Sequence, residues 1–122
     1  MKTIKKQLES ELSEAFIKFQ RELIGRGPQE ARIYILKDMV IARFKGVLTV
    51  EEKHLIHHAE GQSLVKQMRM LLRDLYIDDL KAIVEEKTGC EVLTSHSDLS
   101  TDTGERLEVF VVNKNLEKQL VE

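Results

Sequence analysis

The chain has 122 residues, of which 42% are hydrophobic and 33% charged, with a formal net charge of −2. That length holds one core, the balance is that of a folded chain, and the missing basic excess argues against sequence-independent nucleic-acid binding. A single cysteine, Cys90, excludes an internal disulfide and suits a reducing, cytoplasmic compartment, and no stretch approaches the roughly 20 apolar residues needed to cross a bilayer.

The opening residues carry positive charge without a following apolar run, so neither a signal peptide nor a membrane anchor is expected. Ile4, Leu8, Leu12, Ala15, Phe16, Phe19 and Leu23 recur at steps of three and four, which predicts a helix over residues 3–24. Gly25-Arg26-Gly27-Pro28 should end it, through a left-handed glycine cap and a proline that disfavours helical geometry before it. Residues 32–36 and 39–44 are two β-branched runs separated by Lys37-Asp38, and predict a hairpin. A two-residue turn sets Leu36 against Met39, Tyr34 against Ile41 and Arg32 against Arg43. Ile33, Ile35, Val40, Ala42 and Phe44 then share the other, core-facing side.

Thr49 and Glu52 have capping-box spacing at the start of a long helical pattern that ends at Thr88-Gly89. A bend or break is expected near Gly61. Glu91 to Thr94 begins a strand that continues weakly through His96 and Asp98. Ser100 to Gly104 is turn chemistry, and Leu107 to Val112 reads as a strong strand. The tail from Asn113 to Glu122 is read as a helical turn that packs Leu116 and Leu120. The order α-ββ-α(α)-ββ predicts one α+β domain over residues 1–122, with two hairpins in an antiparallel sheet covered by helices on one face.

Arg26, Arg32 and Arg43 form a candidate anion-binding set, because like charges directly across a ladder call for a neutraliser. That neutraliser is either a bound anion such as phosphate, bicarbonate or a partner's carboxylate, or an internal Glu or Asp from a helix. Lys66, Arg69 and Arg73 lie along one edge of the long helix and are candidate partner contacts, although Asp74, Asp78 and Asp79 nearby also suit an ordinary salt-bridged face. His54 and His58 stand one helical turn apart with His57 between them, but Leu55 follows His54, so the metalloprotease pattern is absent. A metal would need a third ligand such as His96 or Asp98, and neither a metal nor a cofactor is expected. His96 and Asp98 with the neighbouring serines on one extended strand do not converge as a catalytic triad must. Cys90 reads as a small buried hydrophobe.

Gly25 to Pro28, the Arg32-to-Phe44 hairpin, Gly46-Val47-Leu48-Thr49 with Glu52, Leu64-Val65 with Arg69, and Val109 to Val112 together resemble the MpsC-like family of small bacterial proteins. The resemblance spans nearly the whole chain and is most specific over residues 25–52. It implies a bacterial cytosolic protein associated with a sodium-translocating, membrane-potential-generating system linked to inorganic-carbon supply, peripheral to the inner membrane through a partner. It carries over no catalytic residue or cofactor.

Three readings follow. The first is a non-enzymatic accessory protein that binds another protein and forms a homo-oligomer, through an apolar strip on the long helix or an unpaired sheet edge. The second is an anion- or nucleotide-binding regulatory module. The third is a small enzyme using His96 and Asp98.

Overall fold

A computed structural model describes residues 3–120. Helix α1, Ile4–Ile24, starts where the Thr3 side chain accepts a hydrogen bond from the Lys6 amide and stops at Gly25. Strands β1 (Glu30–Leu36) and β2 (Met39–Lys45) form the expected hairpin. Its register sets Leu36 against Met39, Tyr34 against Ile41 and Arg32 against Arg43. Ile33, Ile35, Val40, Ala42 and Phe44 are all buried, as the alternation requires.

Thr49 and Glu52 make a reciprocal capping box that opens α2, Val50–Leu55. After a short break comes α3, Ala59–Thr88, which ends at Gly89. The break thus falls just before Gly61, and Gly61 marks a close approach: a Cβ there would sit 1.9 Å from the Leu55 carbonyl oxygen. Helix α3 also departs from helical geometry at Tyr76, with φ −116° and ψ 15°. Strands β3 (Val92–Ser100) and β4 (Glu105–Val112) form the second hairpin, with a register shift between Val92 and Thr94. Helix α4, Leu116–Gln119, follows. Leu116 in it is buried and Leu120 packs against the core, while the last two residues of the expected tail lie outside the described residues.

The four strands form one antiparallel sheet in the order β1-β2-β4-β3. Its inner face carries Phe44 and Phe110, and Phe16 of α1 packs on both, with ring centroids 5.9 and 5.8 Å away. Leu8 and Leu12 of α1 and Val65, Leu80 and Val84 of α3 complete this core. The whole arrangement is α+β, with the two long helices on one side of the sheet.

The opposite face shows side chains that are exposed or half-buried. Pairing aligns them in rows across all four strands. One row runs Leu36, Met39, Val111 and Thr94, and the next runs Tyr34, Ile41, Val109 and His96. A third runs Arg32, Arg43, Leu107 and Asp98.

Candidate functional site

The loop from Gly46 to Thr49 joins β2 to α2, and arginines from either side hold three successive carbonyls of it. Arg26, just past α1, donates from Nη1 to the Leu48 oxygen at 2.7 Å and from Nη2 to the Gly46 oxygen at 3.1 Å. Arg69 of α3 donates from Nη2 to the Val47 oxygen at 2.6 Å. Arg69 also grips both carboxylate oxygens of Glu52, Nε to Oε2 at 2.7 Å and Nη2 to Oε1 at 2.6 Å. These two side chains are only 6% and 4% exposed. Burial pushes the Glu52 carboxyl up, but the Arg69 hydrogen bonds, the Thr49 amide and the Arg69 charge outweigh it and hold the group below its usual value.

A second buried carboxylate, Glu108, lies on the inner face of β4. It accepts from Arg73 Nε at 3.1 Å, from Arg106 Nε at 3.0 Å and from the Ser97 hydroxyl at 2.6 Å, and Arg73 reaches on to the Ser95 hydroxyl at 3.0 Å. Burial pushes the Arg106 guanidinium below its ordinary value; Glu108 opposes this, and the charges of Arg69 and Arg73 add to it. Three guanidinium groups therefore share two carboxylates. They line a groove of about 160 Å³ between α3 and the second hairpin, with exposed Lys66, Asp74 and Asp98 along it.

The structure brings Lys66, Arg69 and Arg73 onto that one groove. Their environments differ: Lys66 is exposed, Arg73 half-buried and Arg69 buried. Arg32 and Arg43 face each other across the first hairpin, each with a carboxylate of its own: Arg32 Nε lies 3.1 Å from Glu30 and Arg43 Nε 2.8 Å from Glu105. Hydrogen bonding to Glu105 raises Arg43 above its ordinary value. Arg26 stands apart, engaged by the loop carbonyls. His54, His57 and His58 are exposed around the α2–α3 junction, whereas His96 is exposed on β3. Among the described residues no group of three or more His, Cys, Asp or Glu side chains is placed to hold a metal ion. Cys90 is buried.

Sequence reasoning missed Glu52 as the partner of Arg69, and missed Glu108 and Arg106 entirely. One signal was present: Val65, Arg69, Leu80 and Val84 follow one helical phase, so Arg69 had to point inward with the core residues.

Helix α3 also carries an apolar line that turns outward. Leu64, Met68, Leu71 and Leu75 succeed one another at steps of four, three and four, and are 52%, 46%, 61% and 67% exposed. Such spacing keeps side chains on one stripe of a helix. It ends one residue before the irregularity at Tyr76.

Residues 4–114 match the family described as Na+-translocating membrane potential-generating system (MpsC). The chain belongs to the MpsC family. The uncharacterized protein YbcI of Bacillus subtilis (strain 168) is 39% identical to it over 120 residues, covering 98% of this chain and 97% of that one. A second protein of the same strain, the uncharacterized protein YrhF, is 26% identical over 110 residues, covering 89% and 90% respectively. No solved structure gives a match. The MpsC description concerns a membrane system, and no described helix of this chain is long and apolar enough to cross a membrane.

Proposed function

We infer that the protein is a non-enzymatic accessory subunit, one α+β domain acting at the cytoplasmic side of the inner membrane. It docks onto a protein of the Na+-translocating, membrane-potential-generating system after which its family is described. The observation that carries this reading is the exposed line Leu64, Met68, Leu71 and Leu75 on α3. Four large apolar side chains at heptad-like spacing form a seam of the kind that receives a partner helix. The test is a tagged pull-down from detergent-solubilised host membranes, with cross-linking to locate the contact. A stoichiometric, salt-resistant membrane protein cross-linked to α3, and lost with Leu71→Asp, is the expected outcome. Equal recovery by the folded variant would overturn the assignment.

A second reading, an anion- or nucleotide-binding regulatory module, draws on two places. One is the pair of exposed Arg32 and half-buried Arg43, which stand opposite each other in the sheet register. The other is the groove floor, where Arg69, Arg73 and Arg106 outnumber Glu52 and Glu108. Asp74 on the same groove works against a simple anion. Thermal stabilisation by phosphate, bicarbonate or ATP, abolished by Arg43→Ala or by Arg106→Gln, would support this reading and identify which place binds. No stabilisation by any of the three would remove it.

A further inference from the structure

The uncovered face of the sheet has a charge layout that fits a copy of itself. Its middle is apolar: Ile41 and Val109 are neighbours across the β2–β4 seam, as are Met39 and Val111 in the next row. Tyr34 and Leu36 extend this surface to the β1 edge, where they are 48% and 45% exposed. A two-layer fold covers only one side of its sheet, and an antiparallel sheet facing water normally presents polar side chains there. Here the charged side chains collect toward one end of the strands instead, while His96 and Thr94 stay in the apolar rows at the β3 edge. Arg32, Arg43 and Lys45 stand on the β1–β2 half, alongside Glu30, and Asp98 and Glu105 stand on the β3–β4 half.

We propose that this open face is a homodimer interface in which two copies stack sheet to sheet about a two-fold axis parallel to the strands. That operation lays β1 of one copy over β3 of the other and β2 over β4, and keeps each row opposite its own counterpart. Arg32 then faces Asp98 of the second copy, and the symmetric contact repeats at the other edge. Ile41 meets Val109 and Met39 meets Val111 in the middle. At the charged end, Lys45 comes over Glu105 of the second copy. A two-fold axis perpendicular to the strands within the interface would instead mismatch the rows, setting the charged end of one copy against the apolar end of the other. Stacked sheets align within about 30° of each other, and their twist splays the corners. The long Arg32 side chain, 66% exposed, has the reach to span that gap.

Four strands spaced about 4.8 Å apart and some four rows of side chains give a footprint on the order of 400 Å² per copy. At about 800 Å² for the two copies together, that lies below the standard size of a stable interface and is the size of a weak, transient dimer. The α3 seam lies with the helices on the other side of the sheet, so the dimer and the partner contact stand or fall separately.

The test is sedimentation velocity across a concentration series up to about 200 µM, on wild type, Arg32→Asp, Asp98→Arg, and an equimolar mixture of the two variants. Wild type should dimerise. Each single variant sets like charges face to face at both edges and should dimerise at least about tenfold more weakly. The mixture should recover association as a heterodimer. At one edge its two substituted positions, 32 and 98, carry opposite charges again with their signs exchanged, and at the other the native Arg32 and Asp98 meet. Circular dichroism checks that each variant keeps the fold. A wild type that stays monomeric throughout would overturn the proposal, as would variants that dimerise like wild type or a mixture that fails to pair. A dimer indifferent to both charge changes but lost with Leu71→Asp would assign self-association to α3 and refute the sheet-face dimer. A monomer that still captures its membrane partner through α3 would refute the dimer and leave the accessory reading standing.

Discussion

Arg69 and Glu52 meet as a two-point ion pair, Nε and Nη2 against both carboxylate oxygens at 2.7 and 2.6 Å, almost wholly withdrawn from water. The pair ties α3 to the first turn of α2, and Arg69 donates a further hydrogen bond to the Val47 carbonyl. Two buried charges matched this closely satisfy each other, and the consequence of removing one follows directly.

Arg69→Met should destabilise the protein by about 3–5 kcal/mol, because it leaves the Glu52 carboxylate buried without its counter-charge. Combining it with Glu52→Gln should recover part of the loss. Urea denaturation of the two single variants and the double variant measures the coupling. Strictly additive losses would show that the two side chains do not act as a pair.

Acid should weaken the fold through the same carboxylate. Glu52 is held below its usual value in the folded state, so the unfolded chain takes up its proton first as the pH drops. The contribution is fully present above the ordinary glutamate value of about 4.3 and disappears as pH falls through the lower, folded-state value. Between about pH 5 and pH 3, wild type should therefore lose stability more steeply than Glu52→Gln. Parallel curves would assign the acid sensitivity to other groups.

Gly61→Ala should destabilise, against the trend for a helical position, where alanine is favoured over glycine by about 1 kcal/mol. The added methyl would meet the Leu55 backbone, with the carbonyl oxygen at 1.9 Å and the carbonyl carbon at 2.6 Å, and backbone cannot rotate aside as a side chain can. A net loss of at least about 2 kcal/mol is expected, in line with other changes that force a packed corner apart. A neutral or stabilising result would mean that α2 and α3 reposition freely.

Arg26→Ala removes two hydrogen bonds from a charged donor to the Gly46 and Leu48 carbonyls. A loss of about 1–3 kcal/mol is expected. It should appear together with faster hydrogen exchange at the Thr49 and Glu52 amides, which depend on the capping box that this loop leads into. Unchanged exchange at those amides would separate the Arg26 contacts from the helix start.

Helix α1, the hairpin register and the capping box were legible because each rests on local chemistry. Alternation in β1 and β2 with a two-residue turn leaves one sensible pairing, and Thr49 with Glu52 is a self-contained motif. The long helix was legible as a helix, but its apolar residues belong to two faces, one led by Val65 and Leu80 and the other by Leu64 and Leu71. Periodicity alone does not say which face meets the sheet. The interruption expected near Gly61 falls just before it, since this glycine is there for close packing instead of for bending. Neither glycine nor proline marks Tyr76. The Arg69–Glu52 and Arg73–Glu108 pairs depend on how distant elements meet, so they emerge only once the helices lie across the sheet. Arg32 and Arg43 came out opposite each other because the register was local; the carboxylates beside them, Glu30 and Glu105, come from their own hairpin and from a strand distant in sequence.

The strand order also governs when the molecule can be completed. Each hairpin joins neighbours in sequence and closes quickly, whereas the central seam pairs Met39 with Val111 and Ile41 with Val109, contacts that await nearly the whole chain. During synthesis β2 emerges early and must wait through two helices and a third strand with one edge unpaired, which is the condition under which strands recruit neighbouring chains. The pairing with the longest loop to close is therefore that of one hairpin against the other, and a ribosome stalled before β4 holds a half-sheet open to the first strand that reaches it.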